Sequence, residues 1–186
     1  MSQSVQQVER IGPEGGATGA TGPAARNPLF DLSAIDLTRL QHTRKDLERW
    51  NPHRGTMALL DGVIWNSADF KQGVAIKRVT RDEFWVPGHF PDKAMMPGVI
   101  MVETAAQLGS FLFNIRFPEP KIAAFVRLDE CTFRSSVEPG DEFLVLAQEV
   151  KFSPRRFVSD IQGMVGSRVA FEARITGMSI DVPLTA

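Results

Sequence analysis

The sequence predicts an α+β fold in which an antiparallel β-sheet wraps around one long, central apolar helix. Three observations lead to this prediction. Several segments alternate apolar and polar residues with the period of a β-strand. One segment, 99–114, is apolar on nearly all sides and long enough for about 24 Å of helix. Strands are predicted on both sides of this helix along the chain, so a sheet can bury it.

The chain begins with a segment that is not expected to fold. Residues 1–28 are rich in Gly, Ala, Thr and Pro, and such a composition buries too little apolar surface to offset the entropy of ordering. A disordered tail is therefore predicted for 1–28, followed by a single domain over 29–186. Leu37, Leu40 and Leu47 lie near helical spacing and predict one or two short helices at the start of this domain.

Strand patterns begin at about residue 57. Three strands are predicted before the long helix, within the stretches 57–65, 71–80 and 83–88. Four or five more are predicted after it, within the stretches 122–129, 131–137, 142–152, 155–165 and 167–180. Sequences typical of turns, such as Glu-Pro-Gly-Asp and Ser-Pro-Arg-Arg, separate the later strands.

The bulk properties exclude several classes of protein. A formal net charge of −1 over 186 residues argues against general nucleic-acid binding. Cys131 is the one cysteine, so no internal disulfide is possible and a reducing compartment is expected. The N-terminus lacks the apolar core of a signal peptide, and no stretch approaches the roughly 18 apolar residues of a membrane span. These features predict a cytoplasmic protein.

Glu103 is a carboxylate in an otherwise apolar helix. It shares a helix face with Gln107, four residues on, and Ser110 continues this thin polar seam. One interpretation is structural: Glu103 pairs with a buried Arg or Lys, or the seam reaches solvent. The other is functional: a partly buried carboxyl group with a raised pKa carries a proton in catalysis. At the helix start, the free amide groups near Gly98 form a possible site for an oxyanion.

His89 follows Pro87-Gly88 and is expected on a loop or at the end of a strand. Taken alone, it is as compatible with a structural or exposed role as with a catalytic one. The spacing of His42, His53 and His89 does not resemble a metal site, and the sequence contains no Gly-x-Ser-x-Gly elbow.

The segment Gly-His-Phe-Pro-Asp-Lys-Ala-Met-Met-Pro-Gly-Val-Ile-Met-Val-Glu (88–103) resembles the signature of the FabZ-type (3R)-hydroxyacyl-[acyl-carrier-protein] dehydratases, which have the hotdog fold. That signature places a Glu fourteen residues after its His, as Glu103 follows His89. Pro52-His53-Arg54 is similar to the opening of the family, and Pro139-Gly140-Asp141 is similar to one of its turns. The resemblance covers about residues 45–180.

The resemblance implies dehydration of (3R)-hydroxyacyl thioesters on acyl carrier protein to trans-2-enoyl thioesters, in fatty-acid or related acyl-chain biosynthesis. It implies that His89 is the base and Glu103 the acid, that the Gly98 amide stabilises the oxyanion, and that Gln107 orients Glu103 or a water. No metal or redox cofactor is expected. Family members dimerise edge to edge, with His from one chain and the acidic residue from the other, so a homodimer or a trimer of dimers is expected.

The sequence departs from the family pattern in places, and alternatives stay open. Asp92, Ala94 and Met95 replace residues common in the family, and the chain has no tyrosine to gate an acyl tunnel, a role that Phe would have to take. Relatives that also isomerise their product usually have Asp at the position of Glu103, which favours a simple dehydratase. A CoA-linked hotdog hydratase, a thioesterase or a non-catalytic acyl-carrier-binding module are the alternatives.

Overall fold

The computed structural model of the chain describes residues 27–180, and the tail predicted for 1–28 falls almost wholly outside them. Within the described residues the chain forms seven strands and two α-helices. In chain order these are β1 His42–Thr43, α1 Arg44–Trp50, β2 Gly62–Asn66, β3 Gln72–Arg78, α2 Gly98–Asn114, β4 Ile122–Phe133, β5 Glu142–Ser153, β6 Arg156–Val165 and β7 Arg168–Ile180.

The strands form one sheet in the order β1-β2-β3-β5-β6-β7-β4, and every neighbouring pair is antiparallel. The strand β4 lies at one edge and is hydrogen-bonded to β7 alone among the described strands. The opposite edge is the two-residue strand β1. The predicted antiparallel sheet around one central helix is confirmed.

Helix α2 lies against the concave face of the sheet and contacts five strands, β3 to β7. Its residues Ala105, Leu108 and Phe111 are fully buried, and twelve of its seventeen residues are buried in all. A helix that is apolar on nearly every side is stable only when other elements cover it, and the sheet provides that cover. The helix begins at Gly98, one residue before the predicted start.

A second apolar layer covers the other face of the sheet. Six buried side chains form it: Ile64, Val74, Ile76, Leu146, Met164 and Val169. The segment that precedes β1 packs against them through Leu29, Phe30, Leu32 and Ile35. The Leu29 amide also donates to Gln162 Oε1 at 2.9 Å, so this segment is attached to β6.

The strand predicted over 83–88 is wrong, because this segment is a series of turns. The Val86 amide donates to the Glu83 carbonyl at 3.0 Å, and the Gly88 and His89 amides both donate to the Trp85 carbonyl. These local hydrogen bonds replace a strand ladder, which the ring of Pro87 cannot join as a donor. The side chain of Trp85, only 5% exposed, anchors the turns in the core.

The two strands predicted over 122–129 and 131–137 are one strand, β4, with irregular pairing to β7 on either side of Arg127–Asp129. A β-bulge interrupts the ladder without ending the strand, so the sequence signal looked like a break.

The helical prediction for 32–50 holds only at its end, in α1. Thr43 caps this helix, and its side chain and backbone form a capping box with Asp46. Upstream, the Asp31 and Asp36 carboxylates accept hydrogen bonds from the residues two positions on, Ser33 and Thr38. Such side-chain bonds to nearby backbone favour turns over helix.

The end of α2 is held by the buried side chain of Asn114. Its Nδ2 donates to the Trp50 carbonyl at 2.9 Å and to the Lys121 carbonyl at 3.0 Å, and its Oδ1 accepts from the Lys121 amide at 2.9 Å. One side chain therefore joins the end of α1, the end of α2 and the start of β4.

The substitution Asn114→Ala should lower the free energy of unfolding by about 2–4 kcal/mol, because it leaves buried backbone groups without partners. Urea denaturation measures this change. Glu119→Ala, an exposed position in the same connection, is the control and should change stability by less than about 0.5 kcal/mol. Equal effects of the two substitutions would contradict this account of Asn114.

Candidate active site

Glu103 lies on the second turn of α2 with its side chain 27% exposed. Its Oε1 accepts a hydrogen bond from Gln107 Nε2 at 3.0 Å and lies 3.2 Å from His53 Nε2. The predicted contact along the helix face, from Glu103 to Gln107, is therefore present. The partner of Glu103 is a histidine, and not the Arg or Lys that the structural interpretation offered.

Gln107 is buried, and its amide group is oriented by backbone on both sides. Its Oε1 accepts from the Leu59 amide at 3.0 Å, and its Nε2 donates to the Met57 carbonyl at 2.8 Å. Because Leu59 N–H can only donate, the oxygen and nitrogen of the amide are unambiguously placed, and Nε2 faces Glu103. Gln107 thus holds the carboxylate of Glu103 in a fixed direction.

His53 is the site residue that sequence reasoning missed. It lies on the connection after α1, and the Arg54 guanidinium holds this connection by donating to the carbonyls of Glu48, Asn51 and His53. Because a carboxylate only accepts, Nε2 of His53 is the donor to Glu103, while its buried Nδ1 has no partner among the described residues. The available signal was Pro52-His53-Arg54, which carried part of the family resemblance.

The pKa of Glu103 is lowered from its ordinary value, and the predicted raised pKa is wrong for the single chain. Burial is the largest single effect and raises the pKa, because it penalises the charged form. The hydrogen bonds from His53 and Gln107 together outweigh it, because both stabilise the carboxylate. The direction of this pKa shift depends in part on His53, which lies far away in the sequence, so helix periodicity could not reveal it.

His89 lies between the turns at 83–88 and the start of α2. Its Nδ1 is 2.7 Å from the Met95 carbonyl, and the Met95 amide donates to the His89 carbonyl at 2.8 Å. Because a carbonyl oxygen only accepts, Nδ1 carries a hydrogen and Nε2 of the neutral ring is left with its lone pair. That is the tautomer a general base requires at Nε2.

A cleft of about 180 Å³ opens beside Glu103. Helix α2 lines one wall with Glu103, Ala106 and Ser110. The sheet and the connection after α1 contribute the remaining lining residues, His53, Ala123, Ala124, Phe125, Phe157 and Gly177. Its lining combines the polar side chains of His53, Glu103 and Ser110 with the apolar ones of the alanines and the two phenylalanines.

The structure does not bring His89 and Glu103 into contact within one chain. No hydrogen bond or ion pair between the described residues joins them, and His89 does not line the cleft. The cleft is instead walled by β4, the strand at the open edge of the sheet.

Gly98 is the first residue of α2, where helix geometry leaves the backbone amide without an intrahelical acceptor. The Phe133 ring of β4 lies close to it, and a Cβ at Gly98 would be 2.7 Å from that ring. The absence of a side chain at Gly98 therefore lets the Phe133 ring pack closely against the helix start. Any larger residue would push the ring away from the helix start.

The described residues contain no group of three or more His, Cys, Asp or Glu side chains that could hold a metal ion. Nor does any helix among residues 27–180 have the length and apolar character needed to span a membrane.

The class of protein follows from two features, the sheet wrapped around α2 and the cleft lined by Glu103 of that helix. These define the hotdog-fold proteins with an acidic residue on the central helix. The family model of the FabA-like domain matches residues 51–174, and the chain belongs to this family. The match includes His53, His89, Gly98, Glu103 and Gln107.

Similar curated proteins carry one name, "3-hydroxyacyl-[acyl-carrier-protein] dehydratase FabZ". The protein of that name from Protochlamydia amoebophila is 34% identical over 132 residues, which are 70% of this chain and 84% of the relative. The one from Chlamydia muridarum is 33% identical over 137 residues, 71% of this chain and 88% of the relative. The resemblance to FabZ-type proteins found in the sequence is confirmed.

Solved structures show the same fold at low sequence identity. A chain of the dehydratase heterocomplex ApeI:P from Xenorhabdus doucetiae aligns with a TM-score of 0.64 and 16% identity, covering 73% of this chain and 91% of that one. The uncharacterized protein PH1136 from Pyrococcus horikoshii aligns with a TM-score of 0.56 and 15% identity, covering 72% and 92%.

The substitution His53→Ala should raise the pKa of Glu103, because burial remains while a hydrogen bond that favours the carboxylate is lost. A ¹³C NMR titration of the Glu103 carboxyl carbon measures the pKa directly. His42→Ala is the control, since His42 bonds Asn66 and should leave the Glu103 pKa unchanged.

The lowered pKa of Glu103 also predicts how the stability of the protein changes with pH. Since the folded-state pKa lies below the ordinary value of 4.5, ionised Glu103 adds stability above about pH 4.5, which is lost as the pH falls through the folded-state pKa. Comparison of wild type with Glu103→Gln by urea denaturation should show a difference in unfolding free energy that declines on acidification in this range. A difference that grows on acidification would contradict a lowered pKa.

Proposed function

We propose that this protein is an enzyme that dehydrates (3R)-hydroxyacyl thioesters on acyl carrier protein to trans-2-enoyl thioesters, in fatty-acid or related acyl-chain biosynthesis. The observation that carries the proposal is the cleft in which the Glu103 carboxylate lies beside alanine and phenylalanine side chains, in a member of the FabA-like domain family. The curated relatives named as 3-hydroxyacyl-[acyl-carrier-protein] dehydratases support this activity. The roles of individual residues are our proposal.

His89 is the base in this mechanism. The bond from Nδ1–H to the Met95 carbonyl fixes the ring and leaves Nε2 able to accept a proton. Nε2 takes the proton from the carbon next to the thioester carbonyl, and negative charge develops on the carbonyl oxygen. The backbone amide of Gly98, at the positive end of α2, stabilises that charge.

Glu103 is the acid that completes the reaction. Its proton joins the β-hydroxyl group, the carbon–oxygen bond breaks, and the double bond and a water molecule form. Glu103 must therefore hold a proton in the substrate complex, although its pKa in the free chain is lowered. A bound acyl chain removes the remaining water from a side chain that is still 27% exposed, which strengthens the burial effect and raises the pKa. Gln107 keeps the carboxyl group oriented.

We propose that the complete site forms between two copies of the chain. Among residues 27–180, no second strand pairs with the outer side of β4, which exposes the large apolar side chains of Phe125, Val126, Leu128 and Phe133. A long, apolar edge is a site for pairing with another strand. Because β4 also walls the cleft, a second copy at this edge lies beside Glu103, and His89 of the partner subunit completes the site. This division of the residues matches what the family resemblance implies.

Acyl carrier protein is the proposed partner because the substrate is bound to it. Arg127 and Arg134, two of the arginines near the edge strand, are paired with Asp129 and Glu172. A carrier protein that contacted them would compete with these carboxylates. A cytoplasmic location stays a prediction from the sequence.

Incubation with 3-hydroxybutyryl-[acyl carrier protein] tests the reaction. Formation of the enoyl thioester, followed by absorbance and mass, is the expected result. Release of a free thiol instead would identify a thioesterase, and no reaction at all would favour a non-catalytic carrier-binding module.

The substitutions His89→Ala and Glu103→Gln should each lower the rate of dehydration by roughly 10²–10⁴-fold, the usual contribution of a general acid or base. Urea denaturation checks that both variants fold. Glu119→Gln is the control for the carboxylate and His42→Gln the control for the histidine, and both should stay within about threefold of wild type. A Glu103→Gln variant that kept the full wild-type rate would show that Glu103 is not the general acid.

Mixing the two inactive variants tests the shared site. If His89 and Glu103 act across the interface, a mixed dimer has one site with both native residues. Refolding the variants together should therefore restore about a quarter of the wild-type activity, given random pairing in a two-fold dimer. No recovery, with mixed dimers demonstrated by mass spectrometry, would place both residues in the same chain.

A further inference from the structure

Phe157, on β6, is a buried residue that lines the cleft beside Glu103 and is only 5% exposed. The cleft follows one face of α2 from Glu103 through Ala106 to Ser110, positions that span about 10 Å along a helix. An acyl chain with its thioester near Glu103 would extend along this face toward the Phe157 ring.

Two glycines hold the Phe157 ring in place. A Cβ at Gly177 on β7 would lie 2.3 Å from the ring, and a Cβ at Gly109 on α2 would lie 3.1 Å from it. The ring therefore occupies space that any other residue at Gly177 would fill. It also packs against the Phe113 ring, with centroids 5.2 Å apart. A ring enclosed in this way does not move aside without displacing backbone or a second aromatic side chain.

A second pocket, of only about 10 Å³, lies behind Phe157. It is lined by Phe70, Gly109, Leu112, Phe113, Arg116, Glu149, Phe157 and Ser159. Phe157 is the one residue that lines both this cavity and the cleft beside Glu103. Its ring is thus the partition between the two spaces.

We propose that Phe157 sets the upper limit on the length of the acyl chain that this enzyme accepts. The inference rests on the proposed dehydratase function and names a determinant of its specificity. At about 180 Å³ the cleft is smaller than the 300–1,000 Å³ typical of small-molecule sites, so short acyl chains fill it. A longer chain meets a ring that cannot withdraw, whereas a smaller side chain at this position lengthens the cleft by the space of the ring, to which the second pocket adds only about 10 Å³.

The variant Phe157→Leu tests this proposal. The measured quantity is kcat/KM for the 3-hydroxyacyl-[acyl carrier protein] two carbons longer than the longest chain that the wild type accepts, relative to 3-hydroxybutyryl-[acyl carrier protein]. Removal of the ring should raise this ratio about tenfold or more, since one methylene in an apolar pocket changes kcat/KM by roughly 10–200-fold. Ser110→Leu, which fills the cleft before the partition, should lower the ratio.

Phe143→Leu is the matched control, because Phe143 is fully buried against Phe171 and lines neither cavity. It loses the same ring from the core and should leave the length ratio unchanged. Phe157→Met, closer in volume, is the second variant if Phe157→Leu fails to fold, and the urea midpoint decides between them.

A binding measurement separates this inference from the proposed function. The affinities of saturated butyryl-[acyl carrier protein] and of the saturated acyl-[acyl carrier protein] two carbons longer than the longest chain that the wild type binds well, which have no hydroxyl to lose, are compared for wild type and Phe157→Leu. A Phe157→Leu variant whose relative affinity shifts toward the longer chain supports the role of Phe157. Such a shift supports that role even if the wild type dehydrates nothing, a result that would overturn only the proposed function. An active wild type with unchanged rate and affinity ratios in folded Phe157 variants would overturn the role of Phe157.

Discussion

The burial of α2 within the curve of the sheet is the constraint on which the rest of the structure depends. The backbone groups in the interior of a helix are hydrogen-bonded to one another, so along its length only the polar side chains need partners in the core. Gln107 and Asn114 find those partners in the backbone of the chain between Trp50 and Leu59. The same hydrogen bonds that make the helix compatible with burial also fix the connection that carries His53 beside Glu103.

The candidate site depends on two opposing effects at one carboxyl group. Burial favours the protonated form of Glu103, and hydrogen bonds from His53 and Gln107 favour the ionised form. In the free chain the effect of the hydrogen bonds on the pKa of Glu103 is larger than the effect of burial. The effect of burial grows when less water reaches the side chain, and an acyl chain bound in the cleft would exclude that water. Substrate binding and the proton state of Glu103 are therefore coupled in the proposed mechanism.

The edge strand β4 joins several features of the molecule. It walls the cleft, places the Phe133 ring against the start of α2, and within residues 27–180 leaves a row of backbone groups open along one side of the sheet. An edge strand of this kind can pair with another chain. The proposed dimer would account for the absence of contact between His89 and Glu103 within the described residues, because a second copy at this edge would supply His89 of the partner subunit.

The sequence by itself determined the central helix, the strands after it and the contact from Glu103 to Gln107. These follow from periods of two and of 3.6 residues, which act between near neighbours in the chain. The tertiary structure alone decided that His53 pairs with Glu103, that the Glu103 pKa is lowered and that Phe157 lines both cavities. Each of these depends on groups brought together from distant parts of the chain, and a local pattern contains no information about such neighbours.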